Sequence, residues 1–449
     1  MEADSSTAFH FPQNFVLQLN CLNKKGGLIV MKIKKVAVEL LKPYKNNARV
    51  HNDRQINLIA RSIKQFGFTN PILIDKNNRV IAGHGRLLAA KKLGLSEIPT
   101  ISIDHLSETE KQAYIIADNK LAEKAGWDND ILAIELQNII DFDKDFDLTL
   151  TGLETPEIDL ILHEATTQEQ DTVDEIPHKA PKLVEYGDIW QLGDHRLICG
   201  DSLKKSTYDE LLGNLKADIV VADAPYNLKV NGVVSGKGKI KRKEFAMASG
   251  EMSSSQFTEF LHKTFTHLKE FSRNGSIHYL FMDWRHCEEM INAAKGIYST
   301  LLNICVWNKL SGGMGSFYRS QHEFVFVYKN GEFPHINNIE LGVHGRYRTN
   351  VFNYPGIFIN NKLNKENIKL HPTVKPVGLI VDIIKDASKR NGIVLDCFAG
   401  SGSTLLAAER TGRKAYLIEI DVEYCDIIIH RYQKITGKQA KLLKRIEEI

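Results

Sequence analysis

Residues 392–404 read Gly-Ile-Val-Leu-Asp-Cys-Phe-Ala-Gly-Ser-Gly-Ser-Thr, an apolar strand that runs into a glycine-rich turn and the start of a helix. Short unbroken apolar runs are typical of strands in a parallel sheet that is buried on both faces. Glycine lets the backbone of such a turn approach a ligand closely. Glu419 ends the next apolar strand, where a carboxylate suits hydrogen bonds to ribose hydroxyls. This pattern predicts an α/β fold in which the turn holds a cofactor.

The spacing of the glycines distinguishes two classes of cofactor. NAD-binding folds use Gly-x-Gly-x-x-Gly before a helix, with the pyrophosphate at the helix N-terminus. Here the turn reads Phe-x-Gly-x-Gly-x-Thr over residues 398–404, and this spacing is poorly suited to binding a pyrophosphate. We therefore predict a cofactor without phosphate, with NAD as the alternative.

A second motif, Asp223-Ala224-Pro225-Tyr226, follows the apolar strand at residues 218–222. Open α/β sheets bind their ligands at the carboxyl ends of such strands. The carboxylate and the carbonyl of residue 224 can accept both N–H bonds of an exocyclic amine, while the tyrosine ring stacks on a flat heterocycle. Taken alone, the tetrapeptide is better explained as a strand-ending turn. Together with the glycine-rich turn it indicates methyl transfer to a nucleic-acid base.

Both motifs belong to a longer set within residues 184–449. Its members are residues 200–202, 223–226, 307–309, 313–315, 318–323, 371–376, 398–404 and 419–421. In this combination the region resembles the DNA (cytosine-N4/adenine-N6) methyltransferase family, whose cofactor is S-adenosylmethionine. The catalytic motif precedes the cofactor motif, as in the β-type permutation of that family. The resemblance implies a Rossmann-like, doubly wound, mostly parallel sheet and a role in restriction–modification.

The resemblance also assigns roles to individual residues. Asp223, Ala224, Pro225 and Tyr226 form the catalytic motif. The implied cofactor-binding residues are Asp201, Ser202, Lys375, Asp396, Phe398, Gly400, Gly402, Thr404 and Glu419. By the resemblance, Asp201 is expected to face the adenine of the cofactor, and Glu419 is expected to contact its ribose. Aspartate at position 223 favours adenine N6 over cytosine N4 as the methyl acceptor.

Ala224 is a departure from the family's motif, which has proline at this position. The carbonyl of residue 224 survives the change, and Pro225 still favours an extended backbone before it. The lost restriction on φ corresponds to under ~1 kcal/mol of preorganisation. We therefore expect activity to be retained.

A different set of motifs lies between residues 32 and 163, at 41–44, 67–71, 81–86 and 117–120. These segments resemble the ParB/sulfiredoxin-like domain, a smaller α+β module. Gly83, His84, Gly85 and Arg86 combine helix N–H groups with a guanidinium, which makes them a candidate nucleotide site. The doubled arginine of the partition proteins is missing, which argues against hydrolysis, and a thiol reaction is excluded because this region has no cysteine.

Two alternative functions remain open at this point. One is methylation of cytosine N4. The other is a ParB-like DNA- or nucleotide-binding regulator whose methyltransferase domain is weak or inactive, for which Ala224 is the one indication.

Double-stranded DNA is the expected partner, and basic residues predict where it binds. Residues 229–243 contain no acid, and residues 330–370 are the candidate target-recognition insert. A solvated surface loop is the alternative for the first segment, and a homodimer is considered as the assembly. The predicted DNA-binding residues are Lys237, Lys239, Lys241, Arg242, Lys243, Arg319, Arg346 and Arg348.

Composition and charge bound the class of protein. The 449 residues are 43% hydrophobic and 25% charged, with a net charge of +3, as in ordinary globular chains. The six cysteines lack metal-ligand spacing, so we predict reduced thiols, no metal site and a cytoplasmic protein. The family resemblance implies that the protein is bacterial or encoded by a phage. No apolar run reaches the ~18 residues of a membrane span.

The expected organisation has four parts. Residues 1–30 lack periodicity and are predicted to be a translated leader before a native start at Met31, or a disordered tail. A ParB-like domain is expected at residues 31–163, an acidic linker at 164–183 and the methyltransferase domain at 184–449.

Overall fold

The computed structural model describes residues 18–22, 28–166, 180–228, 248–312, 317–339, 341, 348–356 and 374–446. The chain divides into two compact units, Met1–Glu154 and Thr155–Ile449. Within the described ranges, no helix is long and apolar enough to cross a membrane.

The first unit is built on a five-stranded sheet with helices packed around it. Its described elements are β1 (Gln18–Leu22), β2 (Leu28–Ala37), α1 (Asp53–Phe66), β3 (Ile72–Ile74), β4 (Val80–Ala82), α2 (His84–Lys92), β5 (Glu97–Ser102), α3 (Glu108–Ala122) and α4 (Asn129–Phe142). The strand order is β1-β2-β5-β3-β4. The α+β architecture expected for this part of the chain is confirmed.

Strand β2 runs without a break from Leu28 to Ala37. It lies inside the sheet because β1 pairs with it in antiparallel register, Leu19 opposite Met31. Strand β1 and the start of β2 also fall within residues 1–30, so this segment is not wholly without structure. A native start at Met31 stays a prediction.

The second unit contains a ten-stranded sheet with helices on both faces. Its described elements are α5 (Thr155–Thr166), β6 (Asp188–Leu192), β7 (His195–Cys199), α6 (Lys205–Leu212), β8 (Ala217–Asp223), α7 (Ser254–Glu270), β9 (Ser272–Met282), α8 (Cys287–Ala294), β10 (Thr300–Asn308), β11 (His322–Lys329), β12 (Val351–Asn353), α9 (Val377–Ala387), β13 (Ile393–Asp396), α10 (Ser403–Thr411), β14 (Lys414–Glu419), α11 (Val422–Thr436) and β15 (Lys441–Arg445). The strand order is β12-β10-β11-β9-β8-β13-β14-β7-β6-β15.

The centre of this sheet is parallel and buried on both faces. Strands β9, β8, β13, β14 and β7 all run in the same direction. Along β8, Ile219 and Val221 pack with helices α9 to α11, while Val220 and Ala222 pack with α6 to α8. Alternate side chains of a strand face opposite sides of a sheet, so these helices cover both faces. The predicted doubly wound, mostly parallel α/β fold is confirmed.

Helix α5 belongs to the second unit, although the sequence analysis placed residues up to 163 in the first. Asp159 accepts two hydrogen bonds from Arg413, at 2.9 and 2.8 Å. Arg413 is fully buried and also donates to the carbonyl of Ser388 at 2.9 Å. Breaking one partner of such a buried pair would leave an uncompensated charge. The boundary between the compact units therefore lies before this helix, and residues 167–179 of the expected linker lie outside the described residues.

The expected target-recognition insert at residues 330–370 contains a strand of the sheet. Strand β12 falls inside this range and pairs in parallel with β10. Residues 340, 342–347 and 357–370 of the insert lie outside the described ranges. At least part of the insert is thus continuous with the main sheet.

Candidate active site

The two decisive motifs meet at one edge of the sheet. Asp223 ends β8, and the turn at residues 396–404, here called the cofactor turn, follows β13. These strands are hydrogen-bonded neighbours and run parallel. Carboxyl ends of parallel strands share an edge, which is where open α/β sheets bind their ligands. The acid and the cofactor turn are therefore brought together as predicted.

Asp223 lies in a cluster of five polar side chains, here called the acid–lysine cluster: Asp223, Tyr226, Glu323, Lys309 and Lys375. The hydroxyl of Tyr226 is 2.7 Å from Asp223 Oδ1 and 3.0 Å from Glu323 Oε2. Lys375 Nζ donates to Asp223 Oδ2 at 2.5 Å and lies 3.1 Å from Glu323 Oε2. Lys309 Nζ contacts Glu323 Oε1 at 2.5 Å. Two carboxylates and the ammonium of Lys375 thus surround one tyrosine hydroxyl, and Lys309 pairs with the other oxygen of Glu323.

Charge and burial act in opposite directions in this cluster. Burial raises the pKa of Asp223, and Glu323 adds to that rise, although Lys375 opposes it. Burial also favours the neutral form of Glu323, but the two lysines outweigh it and lower its pKa to about 2. Burial alone would lower the pKa of Lys375, yet the two carboxylates raise it. Glu323 and Lys375 therefore form a stable ion pair, and Asp223 is the group whose charge is most easily changed.

Aromatic rings surround the buried ammonium of Lys375. Its Nζ lies 5.1 Å from the ring centre of Phe281, 5.4 Å from Tyr226 and 5.6 Å from Trp307. Trp307 is fixed in turn by a hydrogen bond from Nε1 to the carbonyl of Tyr354, at 2.9 Å. Cation–π attraction grows as the charge is desolvated. The rings hold the lysine in place and cover its ammonium, whose side chain is buried.

The cofactor turn is shaped by two glycines with positive φ. Gly400 has a φ of 52° and Gly402, which begins helix α10, has a φ of 86°. The N–H of Gly400 donates to Glu419 Oε2 at 2.7 Å. Ser403 Oγ donates to the carbonyl of Lys375 at 2.9 Å, which links the turn to the acid–lysine cluster. The cofactor turn and Asp223 are thus parts of one connected site.

Two buried carboxylates line the cofactor turn. Asp396 accepts hydrogen bonds from Thr404 Oγ1 at 2.6 Å and from the N–H of Phe398 at 3.0 Å. Glu419 accepts from the N–H groups of Gly400 and Asp421. Burial raises the pKa of both carboxyl groups to about 7. In the described part of the chain neither forms a salt bridge, so a ligand with hydroxyl donors and a positive charge would suit them.

The third predicted acid lies at the neighbouring strand end. Asp201 follows β7, whose Gly200 N–H donates to the carbonyl of Glu419 at 2.9 Å. The N–H of Leu203 donates to Asp201 Oδ1 at 2.8 Å, which fixes the carboxylate in a tight turn. Ser202 is buried, and its carbonyl accepts from Tyr208. Asp201 and Glu419 therefore share the edge that the cofactor turn occupies. Among the described residues, no group of acids, histidines and cysteines is arranged to hold a metal ion.

Gly402→Ala is expected to weaken cofactor binding and to lower the free energy of unfolding by about 1–3 kcal/mol, because a side chain at positive φ is strained. A Cβ at this position would also lie 3.1 Å from Ile428 Cγ1. Gly437→Ala is the matched control, since its φ of 69° is similar but no atom lies within 4 Å. Urea unfolding and calorimetric titration measure both effects. Equal cofactor affinity in the two variants would contradict the assignment of the turn.

Three of the predicted site residues have contacts that the sequence did not indicate. Lys375 was expected among the cofactor residues, but its ammonium belongs to the acid–lysine cluster. Arg348 was expected to contact DNA, but its guanidinium pairs with Asp382 and Asp386, the latter at 3.1 Å. Two carboxylates neutralise that charge and link Arg348 to helix α9, and its contact with DNA stays a prediction. Arg319 is exposed and donates to the carbonyl of Gly312 at 2.6 Å.

Several predicted DNA-binding residues lie outside the described residues. They are Lys237, Lys239, Lys241, Arg242, Lys243 and Arg346. Their contact with DNA stays a prediction.

The candidate nucleotide site of the first unit begins helix α2. Gly83 caps the helix with a φ of 95°, and His84, Gly85 and Arg86 form its first turn. His84 Nε2 accepts a hydrogen bond from the N–H of Tyr44 at 3.3 Å. Burial lowers the pKa of Arg86, partly offset by Asp118. Nucleotide binding at this turn stays a prediction.

Sequence reasoning gave no role to three residues that shape the site. Glu323 and Lys309 complete the acid–lysine cluster from strands β11 and β10. Asn227 follows the catalytic motif with a φ of 50° and accepts hydrogen bonds from the N–H groups of Gly250 and Met252. Glu323 stands near the start of an apolar run in the sequence. Because a buried charge requires a partner, this position could have indicated that Glu323 pairs with a basic residue.

Three family profiles match the chain, one after another. The profile of the ParB N-terminal domain matches residues 24–120, and that of the ParB-methyltransferase HTH domain matches residues 130–184. The profile described as DNA methylase matches residues 217–430, which include both motifs of the site.

Known proteins match the two parts separately. The ParB-like nuclease domain-containing protein YnaK of Escherichia coli (strain K12) is 47% identical over 72 residues, 16% of this chain and 83% of that protein. The type II methyltransferase M2.MboI of Moraxella bovis is 23% identical over 226 residues, 49% of this chain and 81% of that protein. A solved M1.HpyAVI–SAM complex is 19% identical, with a TM-score of 0.37, and covers 53% of this chain and 98% of its own.

Proposed function

We propose adenine N6 as the methyl acceptor of this chain, which belongs to the N6/N4 family of DNA methylases and carries a ParB N-terminal domain. The chain is an S-adenosylmethionine-dependent DNA methyltransferase. The observation that carries the proposal is the carboxylate of Asp223 at the end of β8, beside the hydroxyl of Tyr226. Aspartate at this position, by resemblance to the family, favours the amine of adenine over that of cytosine.

The proposed role of Asp223 follows from the chemistry of the amine. The lone pair of N6 is delocalised into the purine ring, so the amine is a weak nucleophile. Asp223 and the carbonyl of Ala224 would accept its two N–H bonds and draw the nitrogen toward tetrahedral geometry. They would also stabilise the positive charge that develops during transfer. The amine becomes acidic only once it carries the methyl group, and its proton then passes to Asp223.

Lys375 does not prevent this role, although it occupies one side of the carboxylate. Each carboxylate oxygen has two lone pairs, so Asp223 can accept N6–H bonds in addition to those from Lys375 and Tyr226. The ammonium favours the ionised form of Asp223, which burial and Glu323 disfavour. Lys375 is therefore proposed to keep the acid charged and oriented.

The residues of the cofactor turn fit S-adenosylmethionine. Its ribose hydroxyls and positive charge suit Glu419 and Asp396. Burial raises the pKa of both carboxyl groups, and neither forms a salt bridge among the described residues. The positive φ of Gly400 and Gly402 brings the backbone close to the ligand space, and Asp201 is proposed to face the adenine. When bound there, the cofactor supplies an electrophilic methyl group.

The target adenine must leave the DNA stack to reach the acid–lysine cluster. Extrusion of a base costs a few kcal/mol, and stacking on an aromatic ring returns about 1–3 kcal/mol. The ring of Tyr226, whose hydroxyl is held by two carboxylates, is proposed as the stacking partner.

Incubation of the protein with S-adenosylmethionine and mixed-sequence DNA, followed by base-resolved mapping, tests the proposal. We expect N6-methyladenine within a defined sequence. Methylation of cytosine N4 alone would refute the choice of adenine. An absence of any modified base, with cofactor binding intact, would favour a regulator whose methyltransferase domain is inactive.

Cofactor binding is expected to tighten as the pH rises from 6 to 8. Below their pKa of about 7, Asp396 and Glu419 are mostly protonated and present less negative charge to the ligand. Since the bound ligand favours the ionised forms, binding releases protons, and affinity should fall up to about tenfold per group one pH unit below the pKa. Calorimetry in buffers of different ionisation enthalpy counts these protons. Glu419→Gln should bind more weakly with a shallower pH dependence, and pH-independent affinity of the wild type would contradict the expectation.

A further inference from the structure

Phe317 and Tyr318 form an exposed aromatic pair, here called the tip aromatics. Their side chains are 88% and 82% exposed, yet their rings contact each other edge-on with centroids 4.6 Å apart. Single exposed aromatic residues are common on protein surfaces. Here two adjacent rings are exposed together, and the proposed catalytic mechanism gives this pair no role.

The connection that carries the tip aromatics is anchored firmly at its base. The N–H of Lys309 donates to the carbonyl of Gln321 at 2.9 Å, which extends the pairing of β10 with β11. Asn308 Oδ1 accepts from Gln321 Nε2 at 3.0 Å and from the N–H of Leu310 at 3.1 Å. The carbonyl of Lys309 accepts from the N–H of Gly356 at 3.0 Å. The rings are thus presented from a rigid support.

That support lies at the catalytic edge of the sheet. Strands β9 and β10 are both antiparallel to β11, so β10 ends at the same edge as β9 and its parallel neighbour β8. Lys309 begins the connection, and its side chain contacts Glu323 of the acid–lysine cluster. Trp284, half exposed with Arg285 over its ring at 5.1 Å, follows β9 at this edge. The tip aromatics therefore belong to the rim of the active site.

The chemistry of the pair selects DNA bases as what it contacts. Aromatic rings stack on any base, which changes binding by roughly 5- to 150-fold per base. Arg319 follows the pair directly, is exposed, and adds a positive charge suited to phosphates. A duplex with an extruded base has an apolar gap one ring thick between the flanking bases. One ring of the pair can fill that gap, while the other contacts it edge-on.

We propose that one ring of the Phe317–Tyr318 pair enters the DNA duplex where the target base leaves it and stacks on the bases that flank the gap, while the other ring supports it through their edge-on contact. This inference rests on the proposed function, because it requires a base to be extruded into the acid–lysine cluster. It assigns the rings a role in stabilising the extruded state, which is separate from the chemical step at Asp223.

The test compares two substrates in single-turnover reactions at saturating enzyme. One is a fully paired, unmethylated duplex that contains the sequence at which the wild type transfers methyl groups. The other is the same duplex with the target base mispaired. A mispaired base is extruded at lower cost, so the rate on this duplex should depend much less on the rings. The double variant F317A/Y318A should lose about tenfold or more in rate on the paired duplex and under about twofold on the mispaired one.

Phe333→Ala is the matched control. Phe333 is 64% exposed and follows β11 at the opposite edge of the sheet, where its N–H donates to Asn274 Oδ1. Its substitution should leave both rates unchanged. Equal losses of the double variant on both duplexes, or no loss on the paired duplex, would overturn the inference. A wild-type protein that methylates neither duplex would instead refute the proposed function.

Discussion

Asp223→Ala is expected to lower the rate of methyl transfer by about 10²- to 10³-fold, the usual cost of removing one preorganised group that stabilises developing charge. The carboxylate lies in the acid–lysine cluster, bound by Lys375 and Tyr226 rather than by the cofactor turn. The dissociation constant for S-adenosylmethionine should therefore change little. Single-turnover methylation and calorimetric titration measure the two quantities separately.

Asp209→Ala is a suitable control for this experiment, because Asp209 is an exposed acid on helix α6 of the same unit. It should retain the full rate. If Asp223→Ala methylated DNA as fast as the wild type, the acid would not be the group that contacts N6. If it lost cofactor binding instead, the cluster and the cofactor turn would be more tightly coupled than one hydrogen bond from Ser403 suggests.

The decisive motifs could be located from sequence because each is local. The apolar runs before residues 223 and 396 predict neighbouring buried strands, and those strands are β8 and β13. Once both strands are parallel, their carboxyl ends must share an edge, and the motifs that follow them must approach each other. The position of Gly402 could be predicted for a similar local reason, because the turn requires a positive φ at this residue.

The acid–lysine cluster could not be predicted in the same way. Lys375 reaches Asp223 across 152 residues of chain, and a sequence does not indicate which acid a distant lysine contacts. Glu323 is the second residue of strand β11 and lies directly opposite Trp307 in the antiparallel ladder. Only that register brings its carboxylate between two lysines. The family motif predicts which residue types occur in the site, whereas the tertiary fold determines which of them form pairs.

Arg348 has partners that its place in the sequence does not indicate. An arginine in a segment expected to recognise DNA was predicted to contact it, because basic residues bind phosphate, and this contact stays a prediction. The side chain pairs with two acids of α9, spaced one helical turn apart at Asp382 and Asp386. Charge in a sequence indicates what a residue can bind, whereas the fold determines which partner is within reach.

Lys375→Met is expected to shift the pH dependence of methylation toward higher pH. Burial and Glu323 raise the pKa of Asp223, and Lys375 is the group that opposes them. Without the ammonium the pKa of Asp223 rises further, because an opposite charge at hydrogen-bond distance is lost. Because the reaction requires the ionised acid, the rate should fall up to about tenfold below its maximum for each pH unit below that raised pKa.

The rate of this variant should recover as the pH is raised, since deprotonation of Asp223 restores the acceptor for N6–H. The measurement is the single-turnover rate between pH 6 and pH 10, with cofactor binding followed in parallel as evidence of a folded site. Lys309→Met is the matched control, because Lys309 contacts Glu323 but not Asp223 and is 31% exposed. Its profile should move much less. A Lys375→Met profile that is lowered equally at every pH would mean that the lysine orients Asp223 without controlling its charge.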